Sequence, residues 1–253
     1  MSTVMLRRMA PLALALPLLL LLASAAQAIT VPTVTFGVED AQSPKQISTA
    51  IQVLMLITVL SLAPSILLMT TCFTRIIIVL GFIRQAMGTQ NMPPTQVLLG
   101  LALFLTFFIM SPTLSKINEQ ALQPYLAEQI SQDVALQRGI TPLREFMLGQ
   151  VREEELTLLA EITMKEEPVV AEDIPTTTLV PAFMLSELKR AFMMGFMIYI
   201  PFLVIDMIVA SVLMSMGMMM LPPVIISMPF KLLLFVLVDG WSLVVGSLIK
   251  SFN

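Results

Sequence analysis

The chain reads as all-α, with two apolar helical hairpins flanking an acidic helical domain outside the cytoplasm. Three observations carry that reading. Mean hydropathy is +0.90, and 57% hydrophobic against 12% charged residues lies outside the range of soluble globular domains. The apolar residues gather into long charge-poor segments of helix length, without the alternation of strands. Charge concentrates between residues 115 and 180, where twelve acids meet five bases, so a solvated island separates the apolar pairs.

Residues 1–28 read as a cleavable signal peptide. Arg7 and Arg8 supply the positive start, Leu12 to Leu22 the apolar centre, and Ala26-Gln27-Ala28 the small-residue cleavage site. Eleven apolar residues are too few to span a bilayer. Residues 29–46, with Pro32, Gly37 and Pro44 and no periodicity, are expected to form a poorly ordered periplasmic arm. Residues 47–114 form the first apolar hairpin. No charge falls between Ile47 and Thr74, and Pro64 predicts a kink or break there. Arg75 and Arg84 follow with no acid between them, which marks a short loop facing the cytoplasm. After the breakers from Gly88 to Pro94, the second apolar core, Val97 to Met110, holds fourteen residues before Ser111-Pro112.

Residues 115–182 are the acidic periplasmic helical domain. Thr141-Pro142 predicts a helix cap followed by proline at the first helical position. Leu143, Phe146, Met147, Val151, Leu158, Leu159 and Ile162 then recur at near-helical spacing. Residues 183–253 form the second hairpin. Its first arm runs from Phe183 to Met220 with Glu187, Lys189, Arg190 and Asp206; its second, Met228 to Ile249, carries Lys231 and Asp239. Pro201 lies within the first arm, and Pro222-Pro223 separates the two.

The turn between those arms is the most informative stretch. Met214-Ser215-Met216-Gly217-Met218-Met219-Met220-Leu221 occupies a place where polar turn residues are the rule. Thioether side chains are unbranched and polarizable, and they re-pack readily. Several copies of such a turn around an axis make a deformable apolar ring; taken alone, the run also suits methionine replacing leucine in a core.

Composition removes most chemistries. With no His and one Cys, neither a His/Cys metal cluster, an internal disulfide, nor a Ser-His-Asp or Cys-His pair can form. Cys72 reads as an inert core residue. No basic tract suits nucleic acid, and no Gly-x-x-x-x-Gly-Lys loop is present, so energy for any transport comes from elsewhere. Asp206 and Asp239 lack the sequence context of a membrane aspartyl protease. The reading is therefore a non-enzyme without cofactors. A carboxylate exposed to lipid costs at least about 2.5–3.5 kcal/mol. Glu187, Lys189, Arg190, Asp206, Lys231 and Asp239 are accordingly expected to form ion pairs between subunits, with a proton path as the rival role.

Several strings then matter together: Thr71 to Val79, Pro93 to Pro112, Ser186 to Phe192, Ile200 to Asp206, the methionine turn, and Pro229 to Trp241. Across residues 47–253 they closely resemble the FliP family, the export-gate proteins of flagellar type III secretion, called SctR in virulence systems. Cys72 stands where the family pattern has Ser. The signal peptide and long acidic segment look like the flagellar branch; a virulence injectisome gate subunit and, further off, a solute transporter are the alternatives.

The resemblance implies about five copies of the chain joined with FliQ and FliR in a helical, cone-like hetero-oligomer. By the same resemblance, that core sits at the flagellar basal body in the bacterial inner membrane, largely on the periplasmic side. It conducts unfolded export substrates, with Met218, Met219 and Met220 sealing the pore. FlhB, FlhA and FliO are the further partners implied.

Overall fold

A computed structural model describes residues 44–89, 91–163, 173–218 and 220–252. The expected signal peptide, most of the expected arm and Met219 lie outside the described residues. Every regular element among them is helical. The chain divides into two units, residues 1–55 and 56–253.

Helix α1 spans Pro44–Met69, so the last residues of the expected arm are already helical. Proline suits the first helical position, where its missing N–H has no intrahelical role. The break expected at Pro64 does not occur: the helix continues through it to Met69. Apolar helices tolerate an internal proline when neighbouring groups or local adjustment compensate for the lost bond.

Helix α2 spans Phe73–Ala86 and corrects a second expectation. The stretch holding Arg75 and Arg84 is a helix, and its Arg75, Ile76, Val79, Leu80 and Ile83 are buried. Arg75 therefore drops out of the charge count that assigned a cytoplasmic loop. Helix α3, Thr95–Ile117, runs through Pro112 past the expected end, then continues as a π-helical turn, Asn118–Leu122, into the short α4, Gln123–Leu126.

The acidic segment is helical as its spacing predicts, but its start is elsewhere. Helix α5 spans Gln132–Gln150, with Pro142 inside it. Thr141 does not cap; its Oγ1 donates back to the Gln137 carbonyl at 3.0 Å, the bond by which a mid-helix threonine satisfies its hydroxyl. The true break comes at Val151, where the Arg152 amide leaves the helix and donates to Ser186 Oγ at 3.0 Å. Helix α6, Glu153–Thr163, opens with Glu153, Glu154 and Glu155, and acids favour the positive end of the helix dipole.

Helix α7 runs unbroken from Thr176 to Ser215, through Pro181 and Pro201. At about 1.5 Å per residue it reaches about 60 Å, twice the hydrocarbon thickness of a bilayer. It crosses the boundary expected between residues 182 and 183, so acidic domain and second hairpin share one rod. Helix α8, Pro223–Leu237, and helix α9, Gly240–Lys250, meet at 63° instead of forming one arm. Asp239 between them lies in the left-handed region, φ 49°.

The main core joins α2 Ile76, Val79 and Leu80 to α3 Leu98 and Ala102, α7 Ala191 and Phe202, α8 Phe235, and α9 Val244 and Leu248. At Gly195, α7 approaches α2 so closely that an added Cβ would stand 2.4 Å from Phe82 Cδ2. A second cluster packs α5 Met147 and α6 Leu156 on α7 Leu179, Ala182 and Phe183. Arg144 ties α5 to the start of α7, donating to the Ile174 carbonyl at 2.7 Å and Thr176 Oγ1 at 2.6 Å.

Most of the apolar surface stays outside these clusters. Three stretches are long and apolar enough to cross a membrane: Ile51–Met69, Thr95–Leu126 and Thr176–Ser215. In their most apolar windows only 0%, 33% and 11% of residues are buried within the chain.

Candidate functional site: a methionine turn on an ion-paired frame

The methionine turn is shaped by one glycine. Gly217 takes φ +75°, a conformation side-chain-bearing residues avoid. Its amide donates to the Met214 carbonyl at 3.0 Å, and the Met218 amide reaches back to Leu213 at 2.9 Å. These two bonds close a Schellman motif, which satisfies the last carbonyls of α7 and reverses the chain. Pro222 and Pro223 then start α8. Met218 is 40% exposed and Met220 97% exposed. The turn therefore projects thioethers outward on a rigid base; neither side chain fills this chain's own core.

Behind the turn, α7 and α8 are bound by ionic groups. Lys231 Nζ donates to Asp206 Oδ2 at 2.6 Å, and Ser227 Oγ donates to Asp206 Oδ1. Lys231 is buried and Asp206 half-buried. Further along α7, Glu187 is fully buried and meets the equally buried Arg75 of α2.

All five guanidinium donors of Arg75 are used. Nε donates to Glu187 Oε2 at 3.0 Å and Nη2 to Glu187 Oε1. Nη2 also donates to Gln150 Oε1 at 3.1 Å, and Nη1 to Ser251 O and Oγ, both at 2.9 Å. The Phe252 ring covers the guanidinium carbon, with its centroid 3.7 Å away. Such a fork matches a carboxylate in a way an ammonium cannot.

A third group lies at the acidic domain. Lys189 Nζ donates to Glu154 Oε2 at 2.8 Å and Glu155 Oε1 at 2.9 Å, while Arg152 meets Glu154 at 3.0 Å. These bonds, led by Lys189, hold the Glu154 and Glu155 carboxyls below the usual carboxylate range. Arg190 donates to Gln150 Oε1 at 3.1 Å. Asp239 is exposed at the α8–α9 bend. Of the residues expected to pair between subunits, Glu187, Lys189, Asp206 and Lys231 have ionic partners within the chain. Arg190 has a neutral partner there, and Asp239 stands at the surface.

Sequence reasoning missed Arg75, Gln150, Ser227, Ser251 and Phe252. One signal was available: Arg75 precedes Ile76-Ile77-Ile78-Val79, and a charge embedded in an apolar run requires a partner. Among the described residues, no three His, Cys, Asp or Glu side chains converge as metal ligands. Cys72 is buried, and that burial pushes its thiol up to about 12.

A profile of the FliP family matches residues 56–248, which takes in the methionine turn and all three ionic groups except Ser251 and Phe252. The chain belongs to the FliP family. Its relatives include the flagellar biosynthetic protein FliP of Bacillus subtilis, 58% identical over 84% of this chain and 96% of that protein. The flagellar biosynthetic protein FliP of Pectobacterium carotovorum is 56% identical over 80% of this chain and 79% of its own length. That of Aquifex aeolicus is 50% identical over 81% and 86%. This FliP-family chain is thus a flagellar biosynthesis protein whose apolar helices are suited to membrane spans.

Proposed function

We propose that this FliP-family chain is a structural subunit of the flagellar type III export gate and forms part of its protein-conducting channel. About five copies, with FliQ and FliR, enclose a bore as a closed ring or shallow helix of subunits. Met218, Met219 and Met220 of each copy line its narrowest point. The observation that carries this reading is the Met220 side chain, 97% exposed at the tip of a Schellman turn between two apolar helices. Thioethers at that place exclude water and small ions yet make no directional demand on an unfolded polypeptide.

The apolar faces of α1, α3, α7 and α8 pack against sister copies, FliQ and FliR, with FlhB, FlhA and FliO as further partners. Arg190 and Asp239 remain the candidates for ionic contact between copies. The bulk of the assembly lies on the periplasmic side of the inner membrane, a reading supported by the signal peptide expected at residues 1–28 and the acidic character of residues 115–182. The chain acts by shape and does no chemistry.

The test is conductance. Replacing Met218, Met219 and Met220 together by alanine is expected to make membranes carrying the assembled gate leak small ions while flagellar export continues. Unaltered conductance in an assembled triple variant would refute the gate.

A further inference from the structure

Helix α9 is held differently at its two ends. At its start, Asp239 sits at φ 49° and turns the chain 63° from α8. Aspartate visits that conformation more readily than most non-glycine residues, so Asp239 permits the bend and contacts farther along α9 hold it. Joined end to end, α8 and α9 would be long and apolar enough to form one continuous span. Between the ends, only Gly240, Val244 and Leu248 are buried. At the far end the hold is polar and specific. Ser251 gives Arg75 Nη1 two acceptors at 2.9 Å, the Phe252 ring covers the guanidinium at 3.7 Å, and Gln150 Nε2 donates to the Phe252 carbonyl at 3.2 Å. Phe146 of α5 stacks on the same ring, centroids 6.4 Å apart.

We infer that Ser251–Phe252 is a latch: its engagement with Arg75 keeps α9 folded back on the core and stops it continuing α8. Released, the pair would leave Arg75 Nη1 without its two acceptors, so the latched and extended arrangements are distinct states. A largely apolar cleft of about 490 Å³ lies beside the folded-back α9, where Met194, Ile198 and Phe202 of α7 meet Phe235, Val244 and Ser247 of α8 and α9. The inference goes beyond the pore reading and holds with or without it.

The test uses the full chain in detergent, carrying Cys72→Ser and Leu248→Cys. Leu248 is fully buried, so maleimide labels a cysteine there only when α9 leaves the core. Phe252→Ala is expected to speed that labelling, and amide exchange over residues 241–250, by about thirtyfold, the size of one desolvated cation–π contact. Phe252→Leu, which keeps apolar bulk, is expected to release α9 as well, and Phe252→Tyr to restore protection. Amides of Ile76 to Ile83 stay protected throughout. Protection of α9 in the Ala and Leu variants that equals that of the chain with Phe252 intact overturns the latch. So does simultaneous loss of protection in α2 and α9, which would make Phe252 a general packing residue.

Discussion

Arg75 gathers α2, α5, α7 and the 251–252 segment around one guanidinium, and its energetics set a sharp expectation. Removing either member of a buried ion pair strands the other and costs about 3–5 kcal/mol, whereas replacing both with apolar residues of similar size is often neutral or better. Arg75→Ala and Glu187→Ala should each lower the heat-unfolding midpoint of the detergent-solubilised chain strongly. The double variant Arg75→Met, Glu187→Leu should recover most of the loss. A double variant no better than the singles would mean that the pair's other ligands, Gln150 and Ser251, dominate. Cys72 gives a second expectation: with its thiol pushed up to about 12, it should resist maleimide at pH 8 in the folded chain and react once unfolded. At this scale the sequence was half legible. The need of Glu187, Asp206 and Lys231 for partners followed from charge among apolar residues, but Arg75 lies 112 positions from Glu187. Local spacing carries no information about such a pairing.

At the scale of elements, apolar segments and the helical acidic domain were plain in the sequence, and proline positions misled. Pro64, Pro112 and Pro142, read as a break, an end and a start, all lie inside helices. Around Pro64 and Pro112 the lost backbone bond is outweighed by a long apolar run, a balance invisible to a rule that treats each proline as punctuation; Pro142 sits in a charged amphipathic helix. The close approach of α2 and α7 gives a testable consequence. Gly195→Ala forces a Cβ against Phe82 and should destabilise the pair by about 1–3 kcal/mol, as overpacking does, with Phe82→Leu restoring most of it. Calorimetric unfolding of the single and double variants decides the point, and a harmless Gly195→Ala would show that Phe82 moves freely.

The α6–α7 contact gives a pH dependence. Glu154 and Glu155 titrate below their ordinary value in the folded chain, so their contribution is present above about pH 4.3. It is lost as pH falls through their lowered values. Amide exchange across residues 153–163, corrected for intrinsic rates, should therefore rise only in strong acid; a rise between pH 7 and 5 would contradict the assignment.

For the whole molecule, the governing fact is how little of its apolar surface the chain buries by itself. In the Ile51–Met69 window no residue is buried, and Phe104, Phe107 and Phe108 of α3 are exposed together. Patches of this size mark surfaces meant for lipid or for other protein. A lipid-only account leaves the methionine turn, with Met220 projecting from its tip, without a purpose. An assembly around a bore gives both features a role. The FliP-family resemblance was legible from the strings between residues 71 and 241, within the range the family profile matches. How copies join was not legible, since an interface is written in three-dimensional faces that one chain's periodicity does not order.

The most direct measurement is the mass of the full chain, released intact from detergent micelles by native mass spectrometry. The account predicts an assembly of about five copies, stable at dilutions where single membrane helix bundles stay apart. A population made wholly of single copies, each solvated by detergent or lipid alone, would contradict it.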